Sequence, residues 1–258
     1  MSSSNKLYTT LNMDDAVVDS ATSEATGFNK EHLIDNNPDT YWKPTSTANQ
    51  TLDFDLGAAK IIDAIIFFVK NYTTLSTASA DRFWSDNDFG ATTFVSGTPT
   101  LGSKTAGPLR ISEDNLGISH RWWRINIHTQ SEAIQLPGIW FCQKFDIAPN
   151  EWPENDIDRF YQKVSQAGGG RTFVIRQNKN SFKEIPRSFV MPGTTFFNAL
   201  RNAHQDSAGG ALPLILQQGT TYDEALLVKF QGSDFIKNEI GYQNYEPEVV
   251  FIEMPYIF

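Results

Sequence analysis

The sequence predicts a mainly β chain: a β-sandwich over residues 1–147, then a smaller α+β domain over residues 148–258. Three observations predict it. Apolar and polar residues alternate with period 2 in Leu52–Leu56 and in Trp123–Ile127, the signature of strands with one buried and one wet face. Turns rich in Gly, Pro, Asn and Asp separate such runs. After Pro149 the spacing changes to a 3.6-residue stripe before strands resume.

Taken in order, the first informative stretch is LIDNNPDTYWKPTSTANQTLDFDLG, Leu33 to Gly57. An Asp35–Asp39 turn delivers Thr40, Tyr41 and Trp42, and Trp42 is placed to plug the end of a sandwich. A polar loop follows, and then Leu52, Phe54 and Leu56 alternate with Asp53 and Asp55 until Gly57 ends the run. Ile61–Val69 is apolar apart from Asp63. Nine residues are too few to span a bilayer and read as a strand buried on both faces. Asn71–Ser119 is poor in apolar residues and reads largely as loops at the ends of the sandwich, where binding residues are carried. It contains RFWSDNDFG, Arg82 to Gly90. The half closes with HRWWRINIH (His120–His128) and IQLPGIWFCQ (Ile134–Gln143). In the former, Trp123, Ile125 and Ile127 share a core face, and Trp122, Arg124, Asn126 and His128 share the wet one.

These three pieces, in this order, resemble the discoidin (coagulation-factor type C) family, whose pattern is Asp-Gly-x-x-x-Thr-x-Trp, a loop, then Asp-Leu-Gly. The resemblance covers roughly residues 12–145. It implies a galactose-binding-like jelly roll used for recognition, and a structural role for Arg124. Many members hold a structural calcium at the position of Asp35 and Thr40, completed by a Glu in the last strand. This chain has Pro137-Gly138 there. Two readings of Asp35–Thr40 therefore stand: a calcium site, which needs six or more oxygens, and an Asx-type turn closed on its own backbone, which is favoured.

In the second domain, Pro153 suits a first helical position, and Glu154 and Asp156 complement the dipole. Ile157, Phe160, Tyr161 and Val164 make a helical stripe, and Gly168–Gly170 stops it. Strands are expected at Thr172–Arg176, Arg187–Met191, Leu212–Leu216, Ala225–Phe230 and Glu248–Met254. A second helix is expected near Thr195–Asp206, with Phe196, Ala199, Leu200 and Ala203 on one face. More loosely, Phe196–Met254 resembles small structural domains of tailed-bacteriophage tail and tail-tip proteins.

Charge excludes some functions. The net charge of −9 is spread evenly, with 11 Lys/Arg against 16 Asp/Glu up to residue 145 and 10 against 14 after it. No basic stripe is available for nucleic acid. The N-terminal MSSSNKLYTTLNMDD has no apolar region of a secretion signal. Cys142 reads as a small buried hydrophobe. The histidines (His32, His120, His128, His204) show no zinc spacing, and no catalytic constellation is legible. If a ligand binds, the candidates are Arg82, Trp84, Asp86 and Asn87, with Asp88 beside them and Tyr72 weaker: an aromatic face with polar groups suits a sugar's C–H face and hydroxyl rim. The favoured alternative has Phe83 and Trp84 packing inward from a strand.

The combined expectation is a non-enzymatic component of a tailed-phage virion, at the tail tip or baseplate, with no cofactor. Its partners would be other tail proteins, copies of itself and a cell-surface glycan, and its apolar tail, Met254–Phe258, would be an assembly contact. The alternative is a free bacterial carbohydrate-binding module protein.

Overall fold

The computed structural model describes residues 5–11, 16–35, 37, 39–75, 78–85, 93–95, 108–113, 119–147, 157–159, 162–166, 172–176, 182–188, 191–192, 194–207, 212–217, 225–230, 239–241, 244–245 and 248–253. The first strands are β1 (Asn5–Thr10), β2 (Val17–Ala21), β3 (Gln50–Ile61), β4 (Ala64–Phe68), β5 (Ala80–Ser85), β6 (Thr93–Val95), β7 (Leu109–Glu113), β8 (Ser119–Ile127) and β9 (Gly138–Ile147). The chain divides into two compact units, one built on Thr10–Lys144 and the other on Met1–Thr9 with Phe145–Tyr256.

The first unit is an antiparallel sandwich. One sheet has the order β2-β3-β8-β5-β6, and the other contains β9-β4-β7. Register follows the expected alternation. Leu52 pairs with Ile125 and Phe54 with Trp123, and these four side chains are at most 1% exposed. The intervening pairs, Asp53–Arg124 and Asp55–Trp122, lie on the outer face. A slip of one residue would turn every one of these side chains over, so burial of one face specifies the pairing. Ile65, Phe67, Ile139 and Phe141 of the facing sheet join the same core. Phe54 meets Phe141 edge-on with ring centroids 5.1 Å apart.

β4 is buried on both faces, as its continuous apolar sequence predicts. Cys142 is fully buried beside it, and desolvation pushes its thiol pKa far up. Gly57 does not end β3, contrary to the expectation. It sits at φ 74°, a conformation that favours glycine. Its N–H bonds Asp55 Oδ1 at 2.8 Å, and the strand resumes after a register shift between Asp55 and Lys60. Within 71–119, where the composition reads as loop, the chain forms β5, β6 and β7.

The second unit continues with β10 (Ile157–Arg159), β11 (Gln162–Gln166), β12 (Thr172–Arg176), β13 (Phe182–Ser188), β14 (Met191–Pro192), α1 (Thr194–Asp206), β15 (Leu214–Gln217), β16 (Ala225–Phe230), β17 (Glu239–Gly241), β18 (Asn244–Tyr245) and β19 (Glu248–Glu253). Its main sheet runs β10-β13-β19-β16-β15-β1. Leu200 and Ala203 of α1 are fully buried in a cluster with Leu7, Leu214, Leu216, Val228, Phe230 and Phe251.

One expectation is corrected here. The helix read into residues 153–164 is absent from the described part of that segment: residues 157–159 and 162–166 are strands. β11 pairs with β12 from Gln162–Arg176 to Gln166–Thr172, and Gly168–Gly170, read as a helix stop, lie outside the described residues. β1 pairs with β15 from Lys6–Gln217 to Thr9–Leu214. Residues 254–258 lie outside the described residues. Among the described residues no helix is long and apolar enough to cross a membrane.

Candidate functional site

Three connections of the sandwich leave from one end: residues 22–49 between β2 and β3, 69–79 between β4 and β5, and 128–137 between β8 and β9. Backbone hydrogen bonds tie them together. Trp42 and Leu136 exchange both N–H···O bonds (2.9 and 3.0 Å), Lys70 N–H donates to Gln135 O (2.9 Å), and Gln130 N–H donates to Thr47 O (2.9 Å). Trp42 is fully buried, as its position after the turn predicts, and its indole N–H donates to Ser23 O at 3.2 Å. A buried Trp usually finds such a partner.

The Asp35–Thr40 segment closes on itself. Asp35 Oδ1 accepts from Asn37 N–H (2.8 Å), and its Oδ2 accepts from Thr40 Oγ1 (2.6 Å) and contacts His32 Nδ1 (3.1 Å). Asn37 Oδ1 in turn accepts from Asp39 N–H at 3.1 Å. Both Asp35 oxygens thus serve local donors, the Asx-type arrangement. Among the described residues no group of three His, Cys, Asp or Glu side chains could hold a metal ion.

Beside this turn lies an aromatic cluster that the sequence reading missed. The rings of Phe28 and Tyr41 have centroids 4.6 Å apart, and Lys70 Nζ stands 4.5 Å over the Tyr41 ring. All three residues are half-buried. A signal for Tyr41 was available: extended backbone sends neighbouring side chains to opposite sides, so an inward Trp42 implies an outward Tyr41. Next to it, Asn71 stitches two connections. Its amide N donates to Glu132 Oε1 (3.0 Å) and Ala133 O (3.2 Å), and its Oδ1 accepts from Gln135 N–H (2.9 Å). Thr74 Oγ1 also donates to Glu132. Tyr72 is half-buried against the core.

Two of the residues proposed from sequence lie in a strand. Arg82 and Trp84 belong to β5, where even-numbered residues point inward, so they are 5% and 2% exposed. Trp84 stacks on His120 (5.2 Å, 23°) and meets Trp123 (5.5 Å, 49°) inside the core. It has no free face for a ligand, which corrects its placement as a binding residue. Arg82 is likewise an interior residue and not a loop residue. Asp86, Asn87 and Asp88 lie outside the described residues. Arg124 has the structural role expected of it: its Nε and Nη2 donate to Asp53 at 2.6 and 2.8 Å.

No protein-family model matches this chain, and no curated protein matches it. Among solved structures it is similar to the family 32 carbohydrate-binding module from C. perfringens NanJ in complex with galactose. Identity there is 17%, over 53% of this chain and 99% of that one, with a TM-score of 0.45. It is also similar to the family 32 module of AlyQ in complex with 4,5-unsaturated mannuronic acid (20% identity, 50% of this chain, 95% of that one, TM-score 0.41). A third is a pectin-binding carbohydrate-binding module (12% identity, 50% of this chain, 90% of that one, TM-score 0.43). Each likeness extends over about half of this chain.

Proposed function

We propose that the sandwich is a carbohydrate-recognition module that takes a sugar at its tied loop end, against Phe28, Tyr41 and Lys70. The observation that supports this reading most is the half-buried aromatic pair with a cation lying on it. A cation–π contact at an exposed site is worth only about 0.5–1 kcal/mol, so a sugar's C–H face can replace Lys70 on the Tyr41 ring at small cost. The released ammonium and the Glu132 carboxylate then offer a donor and an acceptor for hydroxyls. The three connections are already held by backbone bonds, which lowers the ordering cost of binding. The wider setting read from the sequence, a tailed-phage virion component, is separate from this proposal.

The test is a glycan array followed by titration calorimetry on the best hit, with Tyr41→Ala and Phe28→Ala variants. We expect at least one glycan to bind and Tyr41→Ala to weaken it tenfold or more. A folded protein that binds no glycan, or binding unchanged in Tyr41→Ala, would sink the reading.

A further inference from the structure

At the end of the β2-β3-β8-β5-β6 sheet, three side chains from two distant stretches of sequence come together. Ser79 Oγ lies 3.1 Å from His128 Nδ1, and Asp81 Oδ2 lies 2.8 Å from His128 Nε2. The backbone fixes the set: His128 N–H donates to Ser79 O at 2.9 Å, and Ala80 pairs with Ile127 in the β5–β8 ladder. The group faces solvent, with the His128 side chain 37% exposed and that of Asp81 21%.

Donor and acceptor logic settles the tautomer. An ionised Asp81 can only accept, so in neutral His128 the proton sits on Nε2 and points at Asp81. That leaves the Nδ1 lone pair facing the Ser79 hydroxyl, which must donate to it. A hydroxyl held against a basic nitrogen, with the imidazole oriented by a carboxylate, is the arrangement that activates a serine nucleophile.

We propose that Ser79 is a nucleophile for acyl transfer from small carboxylic esters, with His128 as its base and Asp81 as a positioning residue. Ser79 Oγ bonds to the acyl carbon while its proton passes to Nδ1. The ester C–O bond then breaks, and the leaving oxygen takes that proton. Water attacks the acyl-serine, His128 removes its proton, and the carboxylic acid departs as Ser79 is re-protonated. Nothing is oxidised or reduced. The geometry supplies nucleophile and base, so the substrate that suits it is an activated ester, which needs least help at the oxyanion. The inference does not depend on the glycan reading.

Full-length protein is treated with a fluorophosphonate probe, and the labelled peptide is mapped by mass spectrometry. Turnover of p-nitrophenyl acetate is followed in parallel. The expected result is a single label on Ser79 and a burst of p-nitrophenolate. Ser79→Ala should abolish both, and His128→Ala should lower turnover 100-fold or more, within the range of general-base contributions. Asp81→Asn should lower kcat with KM unchanged, and Asp81→Glu should restore part of the loss. Folded wild-type protein left unlabelled at Ser79, or turnover that persists in Ser79→Ala, overturns the proposal. The wild-type label alone decides it should a variant fail to fold.

Discussion

The two sheets of the N-terminal sandwich use their outer faces differently. In β4 every residue from Ala64 to Phe68 is 0–6% exposed, and on its outer side Phe68 meets Trp140 at 4.7 Å. In β8 burial alternates: Trp123, Ile125 and Ile127 are buried, while Trp122, Arg124 and Asn126 are only half-buried. The polar groups of that second sheet are paired in advance, Arg124 with Asp53, Arg121 with Asp55 and His128 with Asp81. One sheet is thus committed to packing on both sides. Chemistry can be carried by the loop end or by the polar face of the other sheet.

Substitutions can break or sharpen that contrast. Ile66, on the outer side of β4, is fully buried between Trp140 and Ile111 in the ladder. Ile66→Ala should cost about 2–5 kcal/mol, the range for a large-to-small change in a core. Thermal unfolding showing a loss below about 1 kcal/mol would mean that this face is not packed as a core. A smaller effect is expected on the polar sheet. Asp53 is 8% exposed and accepts both Arg124 bonds and one from Ser20 Oγ at 2.9 Å. Asp53→Asn should cost about 1–3 kcal/mol, tempered because Arg124 is one-third exposed. Urea unfolding with an unchanged midpoint would show that the pair adds nothing.

The smallest effect is at Asp55. Hydrogen bonds from Arg121 hold its carboxyl below the ordinary value of 3.8 against an opposing push from burial, with the Gly57 N–H adding to the lowering. A folded-state value below the unfolded one gives stability that is present above that ordinary value. It is lost as pH falls through the folded value. Asp55→Asn should therefore cost about 0.5–1 kcal/mol at neutral pH, and the two proteins should converge in strong acid. A gap that stays constant down to pH 2 would assign the effect to something other than this carboxylate.

Much of the sandwich was legible because one wet face forces period 2, as in β3 and β8, and because Trp42 follows a turn whose side chains cap it locally. The helix expected over 153–164 failed for a physical reason. Ile157, Phe160, Tyr161 and Val164 fit a 3.6-residue stripe, but the partner strands that decide the matter, β12 and β13, come later in the chain. Arg82 and Trp84 were offered as loop residues because the polar Asp86–Asp88 follows them, yet strand alternation turns them inward. The Ser79–His128–Asp81 group was invisible for a simpler cause. Its bonds span 49 and 47 residues, and only the β5–β8 pairing closes that distance.

The pairing of β1 with β15 has a consequence for synthesis. Tyr8 donates a 2.6 Å hydrogen bond to Gln217 inside the sheet, across 209 residues of chain. At ribosomal rates of about 5–20 residues per second, the first strand waits roughly 10–40 s before this partner exists. During that interval Leu7 and Tyr8, both fully buried in the finished protein, lack their β15 partners Leu216 and Ile215.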